Sequence, residues 1–250
     1  MPSKADLHEI NVASAINGAL PEGYTAKRPK VSSKFSDILI EGPRTTTWVE
    51  VKMNHTDNLH NIRYFYDDGM WQVKPEAKSQ ATDALLKQIN KSPNIKDWVS
   101  KMATYMAENH GFDPDKLSIY STKSERSQPH SVSVEQMKEY LATLPTNNVG
   151  ETIPVDVGHI ATLHYNFGKA EPAYYMQTGD DFYRLGGKDP LKLGNAVPQF
   201  QTESNRIMLR VSSRTGNFEV QSELKAKKIK RISKYSVAPT TAKQNPFELI

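Results

Sequence analysis

The chain has 250 residues, 37% of them hydrophobic, and its 32 Lys and Arg against 28 Asp and Glu give a net charge of +4. This length can bury one large core, or a core with a smaller module. The absence of cysteine excludes disulfides, Cys-based zinc sites and thiol nucleophiles. No apolar run approaches the roughly 20 residues of a membrane span, and the chain does not begin with a signal-peptide core. We therefore expect a cytoplasmic protein with no membrane partner, whose positive charge fits a polyanion such as DNA.

Residues 5–20 carry apolar side chains at helical spacing, which predicts a first α-helix. The apolar stripe comprises Leu7, Ile10, Ala13, Ile16 and Leu20. Glu9 falls on this stripe, where an unpaired carboxylate is costly. It is either a functional group turned inward or a simple exposed acid near the start of the helix.

Residues 24–32 form a weak predicted strand, and Pro29 places it at the edge of a sheet. Its basic side carries Lys27, Arg28 and Lys30, which we expect to contact the phosphates of a nucleic acid.

Residues 35–53 contain two apolar or alternating runs joined by a Gly-Pro turn, which predicts a β-hairpin. If the turn centres on Pro43 and Arg44, residues whose numbers sum to 87 lie opposite one another. Asp37 then faces Glu50. Because side chains alternate along a strand, Lys52 shares the face of Glu50.

Two carboxylates opposite each other in a sheet repel by up to about 1 kcal/mol unless a cation lies between them. Oxygen ligands suit Mg²⁺, with Mn²⁺ as a substitute, and the carbonyl of Val51 is a third candidate ligand beside Asp37 and Glu50. Such a metal lowers the pKa of a bound water, which Lys52 would orient. The alternative is that Glu50 and Lys52 form the solvated face of an ordinary amphipathic strand.

The segments Ser36-Asp37 and Glu50-Val51-Lys52 resemble the bipartite signature of the PD-(D/E)XK, or restriction-endonuclease-like, nuclease superfamily. The resemblance implies that Asp37 and Glu50 bind the metal and that Lys52 assists catalysis. Many members also carry a glutamate on the first helix that reaches the metal, which implies this role for Glu9. Ser36 stands where the family name has proline.

The resemblance further implies the order helix, three strands, helices, fourth strand. Helical spacing predicts helices over residues 75–90 and 92–111, the second with Ser92 as N-cap and Gly111 as its end. Residues 116–121 alternate and are the predicted fourth strand.

The second half begins with a predicted helix over residues 133–144, opened by a capping box. Strand signals then recur in a mostly antiparallel pattern. The predicted strands cover residues 160–167, 173–177, 182–185, 206–212 and 217–221. Their aromatic residues alternate with Lys169, Arg184, Arg206 and Arg210, which either line a DNA cleft or simply accompany cross-strand packing.

A basic run near the C-terminus adds further candidate DNA contacts at Lys227, Lys228 and Lys230, unless it is a solvated tail. The chain ends in a polar segment followed by Asn-Pro-Phe-Glu-Leu-Ile. This short apolar peptide is either a docking motif for a partner protein or a tail folded back on its own domain.

Taken together, the sequence predicts an α/β (α+β) protein with a restriction-endonuclease-like core, a mixed sheet flanked by helices, and a β-rich C-terminal extension or accessory lobe. The predicted boundaries are residues 1–125, 126–224 and 225–250. The predicted activity is that of a metal-dependent DNA endonuclease, and the family implies a homodimer for two-strand cleavage. The alternative is a non-catalytic DNA-binding or replication-associated adaptor protein on the same fold.

Overall fold

A computed structural model of the chain describes residues 2–29, 34–120, 130–146, 148–203, 206–214, 217–225 and 228–250. Lys30 and Lys227, both predicted DNA contacts, lie outside these residues. The architecture is mixed α/β, with helices placed between runs of strands. The described strands form two sheets, the first of which is mixed parallel and antiparallel.

The helices within the described residues are α1 (Lys4–Asn17), α2 (Gln80–Ile89), α3 (Pro93–His110), α4 (Val134–Ala142) and α5 (Val157–Phe167). The strands are β1 (Thr25–Lys27), β2 (Ile38–Gly42), β3 (Thr45–Lys52), β4 (Asn58–Asp67), β5 (Met70–Gln72), β6 (Asn148–Pro154), β7 (Ala173–Thr178), β8 (Asp181–Arg184), β9 (Arg206–Arg214) and β10 (Asn217–Lys225). None of the helices in this part of the chain is both long and apolar enough to span a membrane.

Two compact units are formed from interleaved segments of the chain. The first comprises Met1–Leu59, Asp156–Ser204 and Lys225–Ile250, and the second comprises His60–Val155 and Asn205–Leu224. These boundaries differ from the predicted 1–125, 126–224 and 225–250. The physical reason is that strand pairing and core packing join early and late segments, which no local sequence signal reveals.

Helix α1 begins as predicted but buries a narrower face. Ser3 is its N-cap and forms a capping box with Asp6. The buried residues are Val12, Ala13 and Ile16. Leu7 and Ile10, predicted to point inward, are 48% and 46% exposed, so only the C-terminal half of the predicted stripe packs on the sheet.

The hairpin of β2 and β3 has the predicted register. Ile38 pairs with Val49 and Gly42 with Thr45, so the numbers of each pair sum to 87. A Cβ atom at Gly42 would lie 2.2 Å from Cε1 of Tyr24, so only glycine allows this close approach. The turn therefore fixes which residues of the two strands face each other.

The sheet of the first unit has the strand order β1-β2-β3-β7-β8. β1, β2 and β3 are antiparallel neighbours, whereas β7 pairs parallel to β3. Parallel pairing requires a crossover connection, and α5 leads directly into β7. Residues 116–121 were predicted as the fourth strand of the core. In the described part of this segment, Ser118 and Ile119 form only isolated bridges, and the strand that pairs with β3 is Ala173–Thr178.

Residues 160–167 were predicted as a strand but belong to helix α5. Asp156 is the N-cap and accepts a hydrogen bond from the backbone N–H of His159 at 2.9 Å. Ile160, Ala161, His164 and Tyr165 are buried, which is helical spacing of three and four residues. The aromatic character of the segment had favoured a strand, but its periodicity is that of a helix.

The second unit contains a sheet with the strand order β5-β4-β10-β9-β6. Its helices α2, α3 and α4 begin at Ser79, Ser92 and Ser133, each of which caps its helix with the side-chain hydroxyl. These elements confirm the predicted helices over residues 75–90, 92–111 and 133–144 within a few residues. β9 and β10 confirm the last two predicted strands.

The C-terminal segment belongs to the core of the first unit. Phe247 is fully buried, and its ring packs edge-on against Phe182 with centroids 5.5 Å apart. Nδ2 of Asn245 donates to the carbonyl of Ala15 at 2.9 Å. The predicted docking of this peptide on a partner is therefore wrong, because its anchor residue is already buried in its own unit; the folded-back alternative is confirmed.

We expect Phe247→Ala to destabilise the first unit strongly, because the change leaves a cavity in a packed core. The expected loss is about 3–5 kcal/mol of unfolding free energy, measured by denaturant titration. Leu249→Ala is the matched control, since Leu249 is 38% exposed and should cost far less. Equal, small effects of both changes would show that the segment is not packed as described.

Candidate active site

The two carboxylates predicted to face each other do so, immediately before β2 and within β3. The backbone N–H of Asp37 donates to the carbonyl of Val49 at 3.2 Å. In return, Oδ2 of Asp37 accepts a hydrogen bond from the backbone N–H of Val51 at 2.8 Å. The hairpin therefore holds the Asp37 carboxylate beside Glu50 through main-chain contacts.

Glu50 lies between two apolar residues of β3, and only 3% of it is exposed. Its Oε1 accepts a hydrogen bond from Nζ of Lys52 at 2.6 Å, so the two side chains share a face as predicted. Its Oε2 is buried and accepts no hydrogen bond from the described part of the chain, although the Tyr165 hydroxyl lies within hydrogen-bonding reach of the same carboxylate. A buried carboxylate oxygen without a donor is costly and is suited to a cation. The solvated-face alternative for Glu50 is therefore wrong.

The pKa values of Asp37 and Lys52 are both raised. Burial raises the pKa of Asp37 to about 7, and repulsion by Glu50 adds to this, while the Val51 N–H and Lys52 act in the opposite direction. Burial alone would lower the pKa of Lys52. The carboxylates of Glu50, Asp37 and Asp57 outweigh burial, so the Lys52 pKa is raised and its ammonium group stays charged.

Glu9 lies close enough to the pair to contribute to the raised pKa of Asp37. Its side chain is largely buried, which overturns the alternative of a simple exposed acid. However, its Oε2 is bound by Nε of Arg28, and the same guanidinium contacts Asp6. Arg28, predicted to contact DNA, is thus engaged by acidic residues of α1. A direct role of Glu9 at the metal stays a prediction.

The other predicted DNA contacts are dispersed. Lys27 is about half-exposed and forms an ion pair with Glu41. Lys228 and Lys230 are exposed, and Arg210 is half-buried on β9 in the second unit.

Arg184 contradicts its predicted role as a DNA contact, because its side chain is buried within the first unit. Its Nε donates to the carbonyl of Val197 and its guanidinium NH2 group to Oδ1 of Asn195, both at 3.0 Å. The guanidinium therefore joins β8 to the following loop and is not presented to a ligand.

Tyr165 on α5 is a residue of the site that the sequence did not indicate. Its ring is fully buried, and its hydroxyl donates to the carbonyl of Leu59. Burial and the nearby carboxylates of Glu50 and Asp37 raise its pKa well above the usual value, so it stays neutral. Nζ of Lys52 lies 6.0 Å from the ring centroid. A helical interpretation of residues 160–167 would have placed Tyr165 on the inner face of α5.

The donor set fits a hard divalent cation in two respects. First, the carboxylates of Asp37 and Glu50 face each other, and Oε2 of Glu50 accepts no hydrogen bond from the described chain. Second, the Val51 carbonyl, the third predicted ligand, belongs to the same strand as Glu50. In the described residues no group of three or more His, Cys, Asp or Glu side chains converges on one point. Mg²⁺ does not need such a group, because it commonly keeps several waters and uses one or two protein carboxylates.

Comparisons with known proteins give no family. No family model matches the chain, and no curated protein matches it. A solved structure described as HhaI endonuclease in complex with DNA is 11% identical, with 91% of this chain and 88% of that chain covered and a TM-score of 0.36. A likeness at this level carries no argument about fold or function.

We expect Asp37→Asn to stabilise the metal-free protein at pH 8. The pKa of Asp37 rises on folding from 3.8 to about 7, so folding favours the protonated form and stability falls as the pH rises through that window. The amide keeps an acceptor for the Val51 N–H but removes the charge. In EDTA, the melting temperature should rise by about 3–6 °C at pH 8 and change little at pH 4.

The control for this change is Asp115→Asn, which alters an exposed carboxylate in the second unit. It should leave the melting temperature unchanged at both pH values. An Asp37→Asn protein that is less stable than the wild type at pH 8 would contradict the electrostatic description of the site.

Proposed function

We propose that this protein is a metal-dependent DNA endonuclease of the PD-(D/E)XK type. The observation that carries the proposal is the facing pair of the half-buried Asp37 and the buried Glu50, in which Oε2 of Glu50 has no donor in the described chain and the pKa of Asp37 is raised to about 7. Such an arrangement is unfavourable for the isolated protein and becomes favourable when a cation binds.

The order of elements in the first unit supports the proposal. Helix α1 precedes the antiparallel strands β1, β2 and β3, and helix α5 precedes β7, which lies beside β3. This is the order of helix, three strands, helical segment and fourth strand that the resemblance implies. Asp37 and Glu50 lie on the central hairpin of that order.

The residues that would hold Mg²⁺, or Mn²⁺ in its place, are Asp37 and Glu50 with the carbonyl of Val51. When bound, the metal would supply a water of lowered pKa and would neutralise charge on the phosphate. In the proposed hydrolysis, the water oxygen forms a bond to phosphorus and the bond to the 3′ oxygen breaks. The products would be a 3′-hydroxyl and a 5′-phosphate, as the family implies.

The chain's own groups have defined tasks in this proposal. Lys52 keeps its proton, because Glu50, Asp37 and Asp57 raise its pKa despite burial. Its ammonium group would orient the attacking water and stabilise negative charge on the phosphate oxygens. The Val51 N–H fixes the rotation of the Asp37 carboxylate. Tyr165 contributes a buried, neutral ring 6.0 Å from Nζ of Lys52.

A non-cleaving DNA-binding protein on the same fold is the main rival. DNA binding without cleavage does not require two facing carboxylates that repel each other. The adaptor alternative depended on a free C-terminal peptide, and the burial of Phe247 removes that basis. Neither rival accounts for the cluster at the hairpin.

We expect purified protein to cut DNA in Mg²⁺ and not in EDTA, with plasmid, single-stranded circular and branched DNA as substrates. Glu50→Gln and Lys52→Ala should each lower the cleavage rate by roughly 10²-fold or more, because each removes a charge from the reacting centre. Glu41→Gln is the matched control on β2, since Glu41 is half-buried and pairs only with Lys27 among the contacts described. Undiminished cleavage by both site variants would overturn the assignment.

We also expect Mg²⁺ affinity to rise with pH through neutrality. The metal binds the ionised carboxylate, and Asp37 has a pKa of about 7 in the metal-free protein, so binding must release its proton below that pH. Between pH 6 and pH 8 the affinity should increase about tenfold in a calorimetric titration. Asp37→Asn should abolish this pH dependence, and affinity that is constant or falls with pH would argue against Asp37 as a ligand.

A further inference from the structure

A second lysine lies next to the candidate active site, at the end of α5. Nζ of Lys169 is 5.7 Å from the centroid of the Tyr165 ring, and Nζ of Lys52 is 6.0 Å from the same centroid. Nζ of Lys169 also donates to the carbonyl of Phe35 at 3.2 Å, two residues before Asp37. One buried tyrosine ring is therefore the common neighbour of two ammonium groups.

The local backbone fixes the position of Lys169. Gly168 caps α5 in a right-handed helical conformation, and its N–H donates to the carbonyl of His164 at 2.8 Å. Lys169 follows this cap directly, four residues after Tyr165, and its Nζ lies near the Tyr165 ring. A Cβ atom at Gly168 would lie 2.8 Å from the His164 carbonyl oxygen, so this turn requires glycine.

A main-chain contact then ties this turn to the loop that carries Asp37. The N–H of Ala170 donates to the carbonyl of Lys34 at 2.8 Å. Lys169 is accordingly held between α5 and the segment before β2 by two hydrogen bonds, one from its own side chain and one from its neighbour. Its ammonium group is therefore held next to the segment that leads to Asp37.

We propose that Lys169 and Lys52 form a two-phosphate clamp, in which Lys52 contacts the phosphate that is cleaved and Lys169 contacts the adjacent phosphate of the same strand. This inference rests on the proposed function. A nucleic-acid strand carries one negative charge per nucleotide at a regular spacing, and two ammonium groups that each lie within 6.0 Å of one ring centroid can contact two charges of one strand. The ligand chemistry is a phosphodiester backbone, with no base read by Lys169.

A purely structural lysine would serve to hold neighbouring segments together, with the Phe35 carbonyl among its contacts. The two roles differ in what they require of residue 169, because a carbonyl needs an N–H donor and a phosphate is bound far more strongly by a positive charge. Lys169→Gln keeps N–H donors and most of the side-chain length but removes the charge. Lys169→Arg keeps both the charge and the donors.

Binding of short duplex and single-stranded DNA is measured in EDTA by fluorescence anisotropy over a series of KCl concentrations. For Lys169→Gln we expect affinity to fall about tenfold at low salt, and the slope of log Kd against log salt to decrease by about 0.7–0.9, the value for one phosphate contact. Lys169→Arg should keep the wild-type slope. A wild-type slope and affinity for Lys169→Gln would overturn the clamp, as would equal losses for Lys169→Gln and Lys169→Arg.

Lys188→Gln is the matched control. Nζ of Lys188 lies 5.6 Å from the ring of another tyrosine, Tyr174, and none of its described contacts involves a residue of the candidate site. This change removes the same charge from a similar setting and should leave the salt slope unaltered. A slope reduced as much by Lys188→Gln as by Lys169→Gln would show a diffuse charge effect and would also overturn the clamp.

A second measurement uses the wild-type protein and does not depend on the folding of a variant. Single phosphates of an oligonucleotide are replaced by uncharged methylphosphonates, and cleavage is mapped in Mg²⁺. Neutralising the phosphate on one side of the cleaved bond should slow cleavage about tenfold, and no effect from either neighbour would overturn the clamp. Absence of any metal-dependent cleavage by the wild type would instead overturn the proposed function, while the salt slopes in EDTA would still decide the role of Lys169.

Discussion

Two carboxylates, the buried Glu50 and the half-buried Asp37, face each other across a β-hairpin of the first unit. Burial and mutual repulsion raise the pKa of Asp37 to about 7, and Oε2 of Glu50 has no hydrogen-bond donor in the described chain. The repulsion between the carboxylates and the missing donor at Oε2 of Glu50 lower the stability of the free protein. This arrangement is expected where a site has to accept a cation, since functional groups commonly cost stability that the rest of the fold must supply.

Besides the hydrogen bonds to the two carboxylates, contacts remote from either charge hold this pair in place. The register of β2 and β3 is fixed at the turn, where the Tyr24 ring packs against Gly42. β7 and β8 extend the sheet beyond β3, and the C-terminal segment seals the apolar core with Phe247. On the functional side, α5 contributes Tyr165 and Lys169 to the surroundings of Lys52. The neutral ring is a common neighbour of two positive groups.

The sequence was informative wherever local chemistry decides the structure. A two-residue turn and strand alternation were sufficient to place Asp37 opposite Glu50 and Lys52 beside Glu50, and serine caps marked the starts of α3 and α4. It failed where distant segments meet. Ala173–Thr178 pairs with β3 although most of the second unit lies between them in the sequence, and no local pattern distinguishes it from residues 116–121. The ion pairs of Arg28 and the burial of Arg184 also depend on partners remote in sequence.

The central claim is that Asp37 and Glu50 hold a divalent cation, and anomalous X-ray diffraction from crystals grown with Mn²⁺ tests it most directly. We expect an anomalous peak between the two carboxylates, within coordination distance of Oε2 of Glu50 and the carbonyl of Val51. Crystals at saturating Mn²⁺ that show no peak at this hairpin, or a peak bound only by other residues, would contradict it.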